Sequence, residues 1–201
     1  GVLYSEGHLH LLLLAWLTHA TLSSDDARGP ARVGVLAALT FLARLDSVFV
    51  VAALWLWYVG RVRPDARGLV VASLPPLLLG GAYLVSNQLL FGDPTPVSGW
   101  LKSSFPHPIV PRLYLRSANV TSFGGYGVLF GWAPLFAASG IAVVCRRALS
   151  GPRRVLLPLL AGTWGHALYT AVLTAGFTSW YWYYVLPVFV FGLALAVGVD
   201  H

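Results

Sequence analysis

Residues 33–60 read VGVLAALTFLARLDSVFVVAALWLWYVG, two apolar arms on either side of a short Arg44-Leu45-Asp46 interruption. Arginine flanks the stretch on both sides: Arg28 and Arg32 precede it, and Arg61, Arg63 and Arg67 follow. In a membrane protein, arginine-rich loops stay on the cytoplasmic side, so one crossing between these clusters would strand one of them on the wrong face. A hairpin of two short helices turning at Arg44-Leu45-Asp46 removes the conflict and carries the charged tip outward. Each arm would measure about 16 to 21 Å against a bilayer core of roughly 30 Å, so the tip is expected in a cavity or a thinned, water-filled region. The competing arrangement is one long tilted helix with Arg44 and Asp46 paired near mid-membrane, which sends the second arginine cluster outside.

The rest of the chain has the same character. Hydrophobic residues make up 57% of the 201 and charged residues 10%, with a mean hydropathy of +0.73. A soluble domain has about a quarter of its residues charged, so the medium this sequence suits is lipid. The net charge of +6 does not indicate nucleic acid, because nine of the twelve arginines fall in loops 23–32, 61–68 and 146–154, each between apolar runs. That distribution marks a cytoplasmic face and excludes nucleic acid as the partner.

Apolar segments at about 8–22, 33–43, 47–60, 69–90, 123–145, 155–177 and 183–199 then predict an all-α fold. It is a polytopic transmembrane helical bundle, one domain over 1–201, with a short-helix hairpin and a long extracytoplasmic loop at 87–122. The N-terminus is expected outside and the three arginine loops inside. Pro75, Pro76, Pro134 and Pro158 should kink their segments, with neighbours satisfying the freed carbonyls. The lone Cys145 allows neither a disulfide framework nor a cysteine metal knuckle. Without methionine or a charged leader, the chain reads as a piece of a longer protein.

Four groups of polar and aromatic residues fall on the outer side. Ser5, Glu6, His8 and His10 open the first helix, where Glu6 and His10 share a face. His8 and His10 point apart, which argues against a metal site. At the hairpin tip, Arg44 suits a phosphate or carboxylate through its planar fork, and Asp46 suits either that arginine or a sugar hydroxyl; the plain alternative is a structural ion pair tying the arms. The long loop bears Asn87, Ser98 and Lys102, the only lysine, with Arg112 and Arg116 beyond it. These cations run against the positive-inside bias and suit phosphate, or else are merely solvated. The run Trp180-Tyr181-Trp182-Tyr183-Tyr184 fits an interfacial belt or a stacking surface for a sugar or prenyl chain. His19 and His166 read as ordinary helix contacts.

Glu6, the Ala43-Arg44-Leu45-Asp46 turn, and Asn87 with Phe91, Gly92, Pro96, Val97, Ser98, Gly99 and Lys102 resemble the GT-C superfamily of integral-membrane glycosyltransferases. The likeness is to bacterial members similar to arabinofuranosyl-, mannosyl- and protein mannosyltransferases. It covers about the first half; the remainder agrees in hydropathy and in the Trp-Tyr-Tyr stretch at Trp182. The resemblance implies transfer of a sugar, with inversion, from a polyprenyl-phosphate donor to a glycan, lipid or protein hydroxyl on the extracytoplasmic face. It implies substrate-binding roles for Glu6, Arg44, Asp46, Asn87, Ser98, Lys102, Arg112, Trp180 and Tyr181. Arg44 and Lys102 would hold the departing phosphate, with Asp46 and Glu6 orienting sugar or arginine. The family's catalytic acid residue lies in a loop after the first helix, and no such loop precedes Gly1, so no catalytic residue is assigned. No cofactor is expected, and a divalent ion at the donor phosphate is left open. Two other classes compete: a transporter or flippase, which calls for polar residues deep in several spans, and a non-catalytic membrane subunit.

Overall fold

The computed structural model describes residues 3–23, 26–94, 132–145, 149–173 and 185–199, and all regular structure among them is helical. The chain divides into two compact units, residues 1–96 and 97–201.

The first unit contains α1 (Leu3–Ser23), α2 (Gly29–Ala43), a 3-10 turn (Leu45–Ser47), α3 (Val48–Val62) and α4 (Ala66–Phe91). The direction of each helix follows from a few contacts. The Arg61 guanidinium, on the last turn of α3, donates to the carbonyls of Thr21 (2.8 Å) and Leu22 (3.0 Å) at the end of α1. Pro30 at the start of α2 packs beside Gly68 at the start of α4, and Phe41 near the end of α2 lies against Gly80. The chain therefore doubles back between α2 and α3, and α4 runs parallel to α2. A break at Arg44 replaces the single long helix that residues 33–60 could have formed.

One end of this unit gathers Arg28, Arg32, Arg61, Arg63 and Arg67, and the reversal at residues 44–47 forms the other. Arg61 caps carbonyls that the last turn of α1 leaves without intrahelical donors, and its guanidinium stacks on Trp57 at 5.4 Å. The α3–α4 connection is short: Arg63 adopts a left-handed conformation (φ 50°, ψ 57°), Pro64 follows, and the Asp65 carboxylate accepts from the Gly68 amide at 2.8 Å. A left-handed residue ends one helix and an aspartate N-cap begins the next.

Small residues let α2 and α4 approach closely. A Cβ on Gly34 would sit 2.7 Å from the Ala72 carbonyl oxygen and 3.0 Å from that of Val71. Those carbonyls lie four residues before Pro76 and Pro75, so they are the ones deprived of an intrahelical amide. The Gly34 Cα hydrogen points at them, a weak Cα–H···O contact that helps α4 continue to Phe91 through both prolines.

The second unit contains α5 (Ala133–Val144), a 3-10 turn (Gly151–Val155), α6 (Leu156–Leu173) and α7 (Val185–Val199), with α7 packed on both α5 and α6. Trp132, Phe136 and Trp164 form an aromatic cluster, Phe136 meeting Trp164 edge-on at 5.1 Å. Trp164 Nε1 donates to Ser139 Oγ (3.0 Å), which ties α6 to α5.

Among the described residues, two helical stretches are long and apolar enough to cross a membrane, Leu45–Val62 and Ala66–Phe91. Along α4 only Gly68, Ala72, Gly80 and Asn87 are buried, while Leu77 is 69% exposed and Leu89 79%. Hydroxyls turn back on their own helices: Thr18 to Leu14 O, Thr40 to Leu36 O, Ser73 to Leu69 O and Thr163 to Leu159 O, all at 2.7 to 2.8 Å. An apolar exterior with its hydroxyls satisfied inward suits a surrounding that offers no hydrogen bonds.

Candidate functional site

The reversal between α2 and α3 is made without glycine or proline. The Arg44 backbone turns extended (φ −154°, ψ 114°) while its amide still donates to Thr40 O at 3.2 Å. The Ser47 amide donates to Arg44 O (3.0 Å), and its hydroxyl lies 2.6 Å from Arg44 O and 3.1 Å from Thr40 O. Thr40 and Ser47 are both buried. Carbonyls that end α2 are thus taken up by the turn itself, and α3 starts at once.

On this frame Arg44 folds onto Asp46. Nε donates to Oδ1 at 3.0 Å and Nη2 to Oδ2 at 2.6 Å, a bidentate pair with side chains 16% and 23% exposed. Two parallel bonds fix the guanidinium plane as well as its position. The pair is neutral overall, so an anion reaching Arg44 either shares the guanidinium with Asp46 or displaces it.

Of the residues singled out from the sequence, Arg44 and Asp46 are brought into direct contact. Asn87 lies on α4 seven residues past Gly80, about 10 Å further along the axis than the level of Phe41. It is buried there, and its amide donates to Pro94 O at 3.3 Å. The Glu6 backbone belongs to α1, sixteen residues before Leu22, which places it about 24 Å from the arginine end. Arg44, fourteen residues after Pro30, lies about 21 Å from the same end, so the two share a level. The Glu6 side chain lies outside the described residues, as do Ser98, Lys102, Arg112, Trp180 and Tyr181 entirely.

Two features escaped the sequence reading. The buried Thr40–Ser47 contact shapes the turn, and a signal existed: Asp46-Ser47 directly before an apolar run is a helix-start pattern. His10 is buried on α1, in the half of the unit nearer the tip, whereas His8 is exposed. The two imidazoles therefore have opposite environments, as residues two apart on a helix should. Among the described residues no three His, Cys, Asp or Glu cluster as metal ligands would.

Comparison with known protein families, curated proteins and solved structures finds no match to this chain.

Proposed function

We propose that the chain is the donor-side part of a polytopic membrane glycosyltransferase of the GT-C kind, with the Arg44–Asp46 turn receiving the phosphate of a polyprenyl-phosphate sugar. The bidentate pair at the reversal carries this reading. It is largely shielded, sits at the tip of an apolar hairpin, and lies at the end opposite the arginines that mark a cytoplasmic face. A guanidinium held in a fixed plane suits phosphate oxygens, and partial burial strengthens the attraction. In this reading Asp46 is a positioning residue for Arg44. Asn87 and the Glu6 backbone occupy the same half of the unit, where sugar and acceptor would approach. The exposed apolar flanks of α3 and α4 support a bilayer around the hairpin, with loops 23–32 and 61–68 inside and the reversal outside.

A second reading has its own support. Arg44 and Asp46 are two residues apart in one turn that also holds Ser47, so the pair can serve simply as a clasp between the arms. Binding of a photoreactive polyprenyl phosphate to the detergent-purified chain separates the two. Arg44→Gln should weaken labelling by at least about tenfold, the value of a charge-assisted hydrogen bond, with helix content unchanged by circular dichroism. Undiminished labelling together with a lowered melting temperature would leave the clasp and remove the phosphate site. Impermeant maleimide on cysteines placed at Leu45 and Ala66, in a Cys145→Ser background, tests the topology. Labelling of both from the same side would defeat it.

A further inference from the structure

The arginine end of the first unit has an arrangement that the donor site does not use. Arg28, Arg63 and Arg67 are exposed, and among the described residues no hydrogen bond or ion pair engages their guanidinium groups. Arg32 is paired with Asp26 at 2.7 Å, and Arg61 is committed to the end of α1. The Pro30–Gly68 contact brings the start of α2, and with it Arg28, beside the first turn of α4, while Arg63 and Arg67 flank the α3–α4 connection. Three uncommitted guanidinium groups therefore share one corner.

What lies next to that corner narrows the partner. On α4, Arg67, Val70, Leu74 and Leu78 follow at spacings of three, four and four, so they form one stripe along the helix. Val70 is 58% exposed and Leu78 60%, and Leu74 is exposed between them. A cationic corner continued by an apolar stripe fits a molecule with an anionic head and a long hydrocarbon tail. Nucleic acid would match the arginines but leave the stripe in water. Free phosphate would match the arginines alone.

We infer that this corner binds an anionic phospholipid of the surrounding bilayer, its phosphate at Arg28, Arg63 and Arg67 and one acyl chain along Val70, Leu74 and Leu78. The inference rests on the membrane reading above but not on the donor site. An arginine near a bilayer surface favours anionic lipid by about fivefold each, and a fixed corner of three adds to this when all reach one headgroup.

Spin-labelled phosphatidylglycerol and phosphatidylcholine provide the test, with the full chain reconstituted in vesicles of four parts phosphatidylcholine to one part phosphatidylglycerol. The motionally restricted fraction should favour phosphatidylglycerol at least about fivefold. The triple variant R28Q/R63Q/R67Q should bring the ratio close to one, while Arg32→Gln, whose arginine is already paired, should leave it high. Retention of the preference by the triple variant overturns the assignment. So does its erasure by inorganic phosphate at an ionic strength where chloride has no effect, since that describes a free-anion site. A restricted component without preference removes this inference alone. No restricted component for either lipid removes the membrane reading as well, whereas weakened polyprenyl-phosphate labelling in Arg44→Gln has no bearing on the outcome.

Discussion

The two ends of the α2–α3–α4 group solve the same problem by different means. At one, α2 reverses into α3 through Arg44–Ser47; at the other, α3 reverses into α4 through Arg63–Asp65. The second turn uses mainly backbone devices, a left-handed residue and a proline, with one side-chain cap, the Asp65 carboxylate that takes the Gly68 amide. The first relies on side chains, with an ion pair spanning two residues and a serine hydroxyl lying between two carbonyls. A turn built from backbone devices tolerates loss of one side chain. A turn built from a shielded charge pair loses its partner balance when either member goes, and such a turn is also the one that can exchange a partner for a ligand.

The largest effect is expected at the seam between α2 and α4, where the two backbones approach most closely. Gly34→Leu places a branched side chain where a Cβ alone would already stand 2.7 Å from the Ala72 carbonyl oxygen. Backbone must shift, which typically costs about 3 kcal/mol at a well-packed site and would appear as a fall in melting temperature. An unchanged melting temperature would mean that the close approach does not hold these helices together.

Next in size is Asp46→Ala. It leaves Arg44, 16% exposed, without its carboxylate. Breaking a buried pair costs about 3 to 5 kcal/mol, and residual solvent access here brings the expectation to about 2. The comparison sharpens if Asp65→Ala costs clearly less. That substitution removes one capping bond at an exposed position, worth about 1 kcal/mol. Equal losses at Asp46 and Asp65, measured by thermal unfolding in the same detergent, would erase the distinction between the turns.

How far the sequence revealed these features follows the same division. The helical class, the arginine end and the interruption at Arg44 were readable because hydropathy and charge bias are properties of composition along the chain. The pairing of Arg44 with Asp46 was readable because the residues are two apart and bear opposite charges. The Thr40–Ser47 contact was less so, since it joins residues on opposite sides of the break and exists only once the turn closes. The seam was hidden for a further reason. Gly34-x-x-x-Ala38 and Gly68-x-x-x-Ala72 are plain in the sequence, but nothing in either stretch says which helix the other faces, and the kink expected at Pro75 and Pro76 does not name the neighbour that meets the freed carbonyls. Ser98, Lys102, Arg112, Trp180 and Tyr181 lie outside the described residues, so the second half of the candidate site rests on residue type alone.

The smallest effect tests the backbone-built turn from the opposite side. Arg63 is the one non-glycine residue with positive φ among the described residues, at φ 50°. A left-handed conformation costs a side-chain-bearing residue about 1 kcal/mol, and glycine removes that strain while adding flexibility to the unfolded chain. Arg63→Gly should therefore raise stability slightly, by about 0.5 kcal/mol, as a small upward shift in melting temperature. The same substitution removes one of the three uncommitted arginines, so in vesicles its lipid preference should fall even as its stability rises. Opposite signs from a single replacement are hard to obtain if Arg63 serves folding alone: relief of backbone strain accounts for the gain in stability, and only a contact of the side chain with lipid accounts for the loss of preference.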